Sequence, residues 1–375
     1  MNNKILVISS KINTINYFLD DTLSLLNKDN VVLLTNTKNN NFTSNFKTIN
    51  IPFKSKFNFL LDFYCLIVTT YFIFKFNPKL IITITPKIGF LVSLSSFFKS
   101  NYRIHFFTGQ IWYNKKSINR YFFKLLDSIT LFCSNYAYVD SSSQFNFLVS
   151  NGFNIDKLKL IHNGSICGVD TNVFVPNATL KKNFKKSYDI NNNTKVLMFM
   201  GRVIKEKGIF TLFNVYKKIL SNSLDFKLVI VGSDDENIIV NLKKNDPIFF
   251  SSIIYINEHK YPNLVLPCAD VFALLSEREG FGLSVIQASS CSVPILGSNI
   301  SGLQDSILDN NSGILIDINN IDREITKIFN FLKNSDLLVN MGRNGRSYVQ
   351  TNFKKKDVIN FIINDIQTTL KNLNS

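Results

Sequence analysis

The chain predicts an α/β fold made of two Rossmann-like domains. Three observations predict it. Short apolar, β-branched runs alternate with helical patterns along most of the sequence, which is the signature of βαβ units on parallel sheets. A length of 375 residues with 45% hydrophobic content suffices for two cores. Residues 271–302, VFALLSEREGFGLSVIQASSCSVPILGSNISG, read as strand, glycine-bearing loop, small-residue helix and strand. In a parallel sheet such a loop lies at the carboxyl end of the strand, where α/β proteins bind ligands.

In chain order, residues 4–9, 30–35, 47–51, 79–84, 103–107 and 136–139 are expected as strands of a first domain over 1–170. An Asn- and Lys-rich stretch, 171–194, reads as a linker. VLMFMG, LVIVGS, SIIYIN, VFALLS, VPILGS and GILIDI are the expected strands of a second domain over 195–352, and 353–375 is a terminal helix. The asparagine clusters at 39–41 and 191–193 are expected as loops.

Residues 57–74, FNFLLDFYCLIVTTYFIF, form an apolar segment near the length of a membrane-spanning helix. Asp62 interrupts it and a buried-strand pattern follows, so a covering helix of the first domain is the preferred reading. Peripheral membrane attachment through this aromatic half stays open.

Charge is uneven. Residues 1–180 hold 18 Lys and Arg against 8 Asp and no Glu, while residues 181–375 hold 24 Lys and Arg against 19 acids, giving +10 and +5 of the total +15. A basic first half suggests an anionic partner: membrane lipid, a phosphate-linked acceptor or nucleic acid. No nucleic-acid module or Lys/Arg-rich block is present, so no nucleic-acid partner is expected. The five cysteines form no C-x-x-C and the three histidines make no ligand spacing with them, as for reduced thiols in a cytoplasmic protein without a metal site. The first residues read as a strand rather than a secretory leader.

The segment Glu279-Gly280-Phe281-Gly282 followed by a helix, with GRVIKEKG at 201–208 upstream, resembles the retaining, nucleotide-sugar-dependent glycosyltransferases of family 4, which have the GT-B fold. The pattern departs from that family at Gln287, where a second Glu is usual, and in the first loop, Ser9-Ser10-Lys11-Ile12-Asn13-Thr14, which lacks the usual glycines. The resemblance implies that the two Rossmann-like domains face a central cleft. It also implies a hexosyl- or N-acetylhexosaminyl-transferase acting with retention in bacterial surface polysaccharide or glycan synthesis. Its co-substrate would be a nucleotide sugar, UDP-linked, with no cofactor and no metal. A glycan or lipid-diphosphate-linked acceptor is implied, at the inner face of the cell membrane.

By the same resemblance, Arg202 and Lys207 grip the donor diphosphate and Glu279 holds the sugar hydroxyls, these three being the catalytic candidates. Gly201, Gly280, Phe281, Gly282, Leu283 and Gln287 are implied in donor binding. Arg provides a planar fork and Lys a point charge for phosphate, and the helix start after Gly282 adds free N–H groups. In the first domain, His105 is a candidate donor contact, against the plain reading of a core histidine. Thr108, Gly109 and Gln110 are acceptor-side candidates. His162, Asn163 and Asp170 read as turn residues. Asp234 and Asp235 read as a solvated loop, with a metal site as the alternative. The alternative for the whole chain is a catalytically impaired GT-B protein that binds a nucleotide sugar or a partner glycosyltransferase.

Overall fold

Two parallel sheets organise the chain, seven-stranded in order β3-β2-β1-β4-β5-β6-β7 and six-stranded in order β10-β9-β8-β11-β12-β13. The computed structural model describes residues 4–38, 45–54 and 57–374. The asparagine cluster at 39–41 lies outside them; that at 191–193 is an exposed loop.

The chain divides into two compact units, Met1–Gly168 with Lys355–Ser375, and Val169–Lys354. In the first, β1 (Ile5–Ile8) leads to α1 (Ile12–Phe18), α2 (Asp20–Ser24), β2 (Val31–Thr35) and β3 (Lys47–Asn50). Then follow α3 (Phe59–Phe76), β4 (Leu80–Ile84), α4 (Pro86–Ser95), β5 (Tyr102–Phe107), α5 (Ile118–Cys133), β6 (Tyr136–Val139), α6 (Ser142–Ser150) and β7 (Leu158–Leu160). Strands β1, β2 and β4 are buried at every position, as expected of a sheet covered on both faces. Strand β7 has only three residues, LKL, too short to signal itself by periodicity.

The second unit begins with α7 (Ala178–Ser187), β8 (Lys195–Met200), α8 (Ile209–Ser221), β9 (Phe226–Val231), α9 (Ile238–Asn245), α10 (Pro247–Ser251) and β10 (Ile253–Ile256). It continues with α11 (Pro262–Val265), β11 (Val271–Leu274), α12 (Leu283–Ser290), β12 (Ile295–Ser298), α13 (Leu303–Ser306), β13 (Gly313–Ile316), α14 (Ile321–Lys333) and α15 (Ser335–Asn352). The stretch read as a linker, 171–194, contains α7 and belongs to this unit. Lys181 on α7 pairs with Asp270 at 2.6 Å, and the other Asp270 oxygen accepts from the Val196 amide at 2.8 Å. This pair fastens α7 beside the start of β8.

The terminal α16 (Lys355–Asn372) is part of the first unit. It buries Val358, Ile362 and Ile366, four residues apart on one stripe. Its Asp365 accepts from the Tyr136 hydroxyl at 2.7 Å and from Tyr138, and pairs with Lys159. All five cysteines are free and buried.

Helix α3, where a covering helix is expected at 57–74, packs against the first unit's core by one stripe only. It buries Cys65, Thr69 and Ile73 along one stripe, yet only 17% of it is buried.

Candidate functional site

In both sheets the strand order reverses once, and loops at the carboxyl ends of the two strands flanking that point converge. In the second unit these strands are β8 and β11. The segments singled out in the sequence are their two exit loops, Gly201–Gly208 and Ser276–Gly282.

Gly208 lets the first loop lie against the second. It has φ +72°, and a Cβ there would stand 1.7 Å from the Leu275 carbonyl oxygen, so a side chain would force the loops apart. Three links then join them. Lys207 Nζ donates to Glu279 Oε1 at 2.6 Å. Arg278 Nε donates to Glu206 Oε1 at 2.8 Å. The Glu277 amide donates to the Glu206 carbonyl at 2.9 Å.

Glu279 is held further. Its Oε1 also accepts from Ser276 Oγ at 2.7 Å, and the Ser276 carbonyl accepts from Ser298 Oγ at 2.6 Å. The Glu279 side chain is 10% exposed and that of Lys207 22%. A side chain this shielded needs polar partners, which Lys207 and Ser276 supply. Burial works to raise the Glu206 carboxyl, but the hydrogen bond and charge of Arg278 outweigh it, and the net shift is downward. Glu206, Ser276 and Arg278 were not singled out from the sequence. The signal available was their adjacency to Lys207 and Glu279, but pairing across 72 residues becomes visible only in the fold.

Arg202 is the freer cation. Its side chain is 55% exposed and its ion pair with Asp235 is loose at 3.9 Å. Gly201 directly follows β8, its amide bonded to the Val231 carbonyl at 2.9 Å. Gly280 and Gly282 are buried, and Gly282, at φ +81°, starts α12. Phe281 faces the interior, its ring 4.9 Å from Phe353 in a cluster with Val169, Ile286 and Val349, so its side chain packs the unit. Leu283 is half-buried against the same cluster. Gln287 lies one turn further along α12 and is half-buried.

Asp234 accepts from the amides of Ile238, Ile239 and Val240 at 2.7, 2.9 and 3.2 Å. It therefore closes the first turn of α9. No group of three or more His, Cys, Asp or Glu side chains converges as a metal site among the described residues.

The first-unit candidates are in a different environment. His105 on β5 is fully buried, with Nδ1 2.8 Å from Thr83 Oγ1 and its ring edge-on to Phe107. Gly89 on α4 makes room for it, since a Cβ there would stand 2.6 Å from the imidazole. Burial lowers the His105 pKa to about 3. This is a neutral core histidine, and its side chain offers no surface to a donor. Gln110 is 2% exposed and Gly109 is buried, leaving Thr108, half-buried, as the accessible member of that loop. His162 and Asp170 occupy turns: His162 has φ +46°, and Asp170 accepts from the Asn172 amide at 3.0 Å.

At the first unit's own reversal point, between β1 and β4, stands Thr85, which no motif marks. It holds φ +83°, an outlier for a β-branched residue, with a buried hydroxyl. Such strain concentrates at binding and catalytic sites.

Comparison with known proteins is consistent with this geometry. Residues 181–348 match the family described as glycosyl transferases group 1. The capsular polysaccharide biosynthesis glycosyltransferase CapM of Staphylococcus aureus is 25% identical over 313 residues, which is 82% of this chain and 81% of that protein. The N-acetyl-alpha-D-glucosaminyl L-malate synthase of Bacillus anthracis is 28% identical over 176 residues, 47% of this chain and 46% of that protein. Among solved structures, sucrose-phosphate synthase from Thermosynechococcus elongatus superposes with a TM-score of 0.80 at 17% identity, covering 99% of both chains. Anabaena HepE, in complex with UDP and glucose, gives 0.77 at 13% identity over 97% of this chain and 99% of that one. The two Rossmann-like units have the GT-B fold. Fold, family match and relatives together support a glycosyltransferase.

Proposed function

We propose that the protein moves a hexosyl or N-acetylhexosaminyl group from a UDP-linked sugar to a glycan or lipid-diphosphate-linked acceptor, with retention, at the inner face of the cell membrane. One observation carries the reading: an exposed Arg202 beside a Lys207–Glu279 pair at the reversal point of β8 and β11. The UDP complexes of HepE and the capsular role of CapM support the donor and pathway class.

The chemistry follows from charge. The bond from the anomeric carbon to the diphosphate oxygen breaks, and its electron pair leaves with the phosphate. Positive charge develops on the sugar ring. Arg202, Lys207 and the start of α12 stabilise the departing diphosphate, and preorganised charge of this kind is usually the largest catalytic contribution. Glu279, already oriented by Ser276, takes the sugar hydroxyls as Lys207 turns to phosphate. The acceptor hydroxyl attacks the same face of the ring, and its proton passes to the leaving phosphate.

A second reading rests on Gln287. A neutral amide there accepts weaker hydrogen bonds from ribose than a carboxylate would, as suits a protein that binds a nucleotide sugar without turnover.

One experiment separates the two. The chain is incubated with UDP- and GDP-linked sugars, with and without a strong chelator, and nucleotide release and product anomer are followed by NMR. Slow release from a UDP sugar with retained configuration, unaffected by chelator, is expected. A thermal shift with no release supports the second reading. Loss with chelator, restored by manganese, overturns the metal-free mechanism.

A further inference from the structure

The outer surface of the first unit is built unlike a water-facing one. Strands β3, β4, β5 and β6 follow one another in a single direction across the sheet, so right-handed crossovers place α3, α4 and α5 on the same face. Helix α3 grips that layer through Cys65, Thr69 and Ile73. Its opposite stripe, Leu60, Tyr64, Ile67, Tyr71 and Phe74, spaced four and three residues apart, is more than half exposed. Helix α5 does the same, burying Leu126, Thr130 and Leu131 and exposing Ile118, Tyr121, Phe122 and Leu125. The turn after α4 adds Phe97 and Phe98, the latter 90% exposed.

These surfaces connect. Phe57, just before α3, lies 6.2 Å from Phe123 of α5, and Lys99, after α4, stands 4.5 Å over the Phe74 ring. Soluble proteins rarely leave so many large aromatic side chains uncovered on adjoining elements.

The charge around this face identifies what covers it. Residues 54–135 hold eleven Lys and Arg against two acids. Neither acid faces out: Asp62 pairs with Lys87 at 2.5 Å and is 13% exposed, and Asp127 accepts from the Trp112 indole at 2.8 Å and is 2% exposed. Lys75 and Lys115 lie over the Tyr71 and Phe123 rings at 5.3 and 5.5 Å. Exposed aromatic rings with a lysine rim and no outward carboxylate match the interface of an anionic bilayer, with rings at headgroup depth and ammonium groups at the phosphates. A second copy would set one lysine rim against another.

Spanning is disfavoured by the packing. Eighteen helical residues give about 27 Å, enough to cross. Yet the Asp62–Lys87 pair ties α3 to α4, and Cys65 and Ile73 sit in the core with Ile88 and Val92. A helix so fastened lies in the membrane plane.

We propose that the outward face of α3 and α5, with the turn after α4, docks the first unit on an anionic membrane by inserting aromatic side chains. This rests on the lipid-linked acceptor of the proposed function, which such docking would bring within reach. The test is flotation of the full chain with vesicles of phosphatidylglycerol and phosphatidylethanolamine, against phosphatidylcholine alone. Binding to the anionic vesicles only is expected. The double variant Tyr64→Glu, Ile67→Glu should weaken it at least about tenfold, because two inserted side chains become charged, whereas Ile248→Glu, in the second unit, should not. A dye on Ile67→Cys should shift to the blue on the anionic vesicles, and the buried native thiols leave that position selectively labelled. Unchanged flotation of the double variant overturns the proposal. So does release by detergent alone, which means spanning, or a solution dimer that the double variant dissolves. UDP-sugar hydrolysis is measured on the same samples: lost flotation with hydrolysis kept supports docking, and flotation without hydrolysis in the unmodified chain strikes only the transferase reading.

Discussion

The two sheets reverse strand order at equivalent points, between β1 and β4 in one unit and β8 and β11 in the other, yet the chemistry there differs. In the second unit the exit loops carry paired charges: Lys207 with Glu279 and Glu206 with Arg278, with Arg202 held loosely. In the first, the loops carry Ser9, Ser10 and strained Thr85, and the nearby Lys87 turns away to Asp62 and the Lys54 carbonyl. The same topology thus sets paired charges at one reversal point and mostly hydroxyl side chains, with an exposed Lys11, at the other. The cause is compositional. With no Glu before residue 206, the first unit has few partners for its lysines, and many lie over aromatic rings instead.

The sharpest test of that contrast removes charge from the second unit. Arg202→Ala should lower the rate of UDP-sugar turnover tenfold or more, since a charge-assisted contact is worth roughly 1.5–3 kcal/mol. Because its side chain is largely exposed and loosely paired, the thermal midpoint should not move. Glu279→Gln should cost a similar factor in turnover, with some loss of stability because Lys207 loses its partner. Near-normal turnover in both variants would place the donor elsewhere.

A second test concerns the first unit's side of the contrast. His105 is unprotonated in the folded unit down to about pH 3, whereas an unfolded histidine binds a proton near 6.5. Its folded pKa is depressed, so protons favour the unfolded chain. The stability it contributes is complete above about pH 6.5 and falls as pH drops toward 3. At pH 5 the loss is on the order of 2 kcal/mol. Amide exchange in β4 and β5 at pH 7.5 and 5 should show this loss, and His105→Asn should remove it. An equal pH slope in the variant would mean that other groups control acid sensitivity.

The smallest expected effect lies in the link between the exit loops. Glu206→Gln and Arg278→Gln, singly and together, should reveal a coupling of about 1 kcal/mol in unfolding, because the pair is only partly screened. Donor KM should rise more than kcat falls, since the pair orients loops without touching the reacting atoms. Additive effects would reduce it to an incidental surface contact.

Much of the fold is legible in the sequence alone. The strand–loop–helix–strand reading of 271–302 corresponds to β11, α12 and β12. The runs at 30–35, 47–51 and 136–139 correspond to β2, β3 and β6 within a residue or so at the ends. Period and turn punctuation act over a few residues, so they survive in the sequence. Strand β7 and α7 escaped because a three-residue strand and a polar, lysine-rich helix carry little apolar signal.

The site divides along the same line. Arg202, Lys207, Glu279 and Gln287 stand out because the motifs that resemble the family are short and local in sequence. What each one touches was settled only by tertiary structure. Phe281 packs against Phe353, Asp234 closes a helix, and His105 is enclosed between Thr83 and Gly89. Ser276 and Arg278 acquire their roles from partners brought in by the fold. The exposure of α3 is the plainest case. Its sequence is that of any apolar helix, and only packing decides which stripe meets the core and which is left facing outward, because burial depends on neighbours that composition does not name.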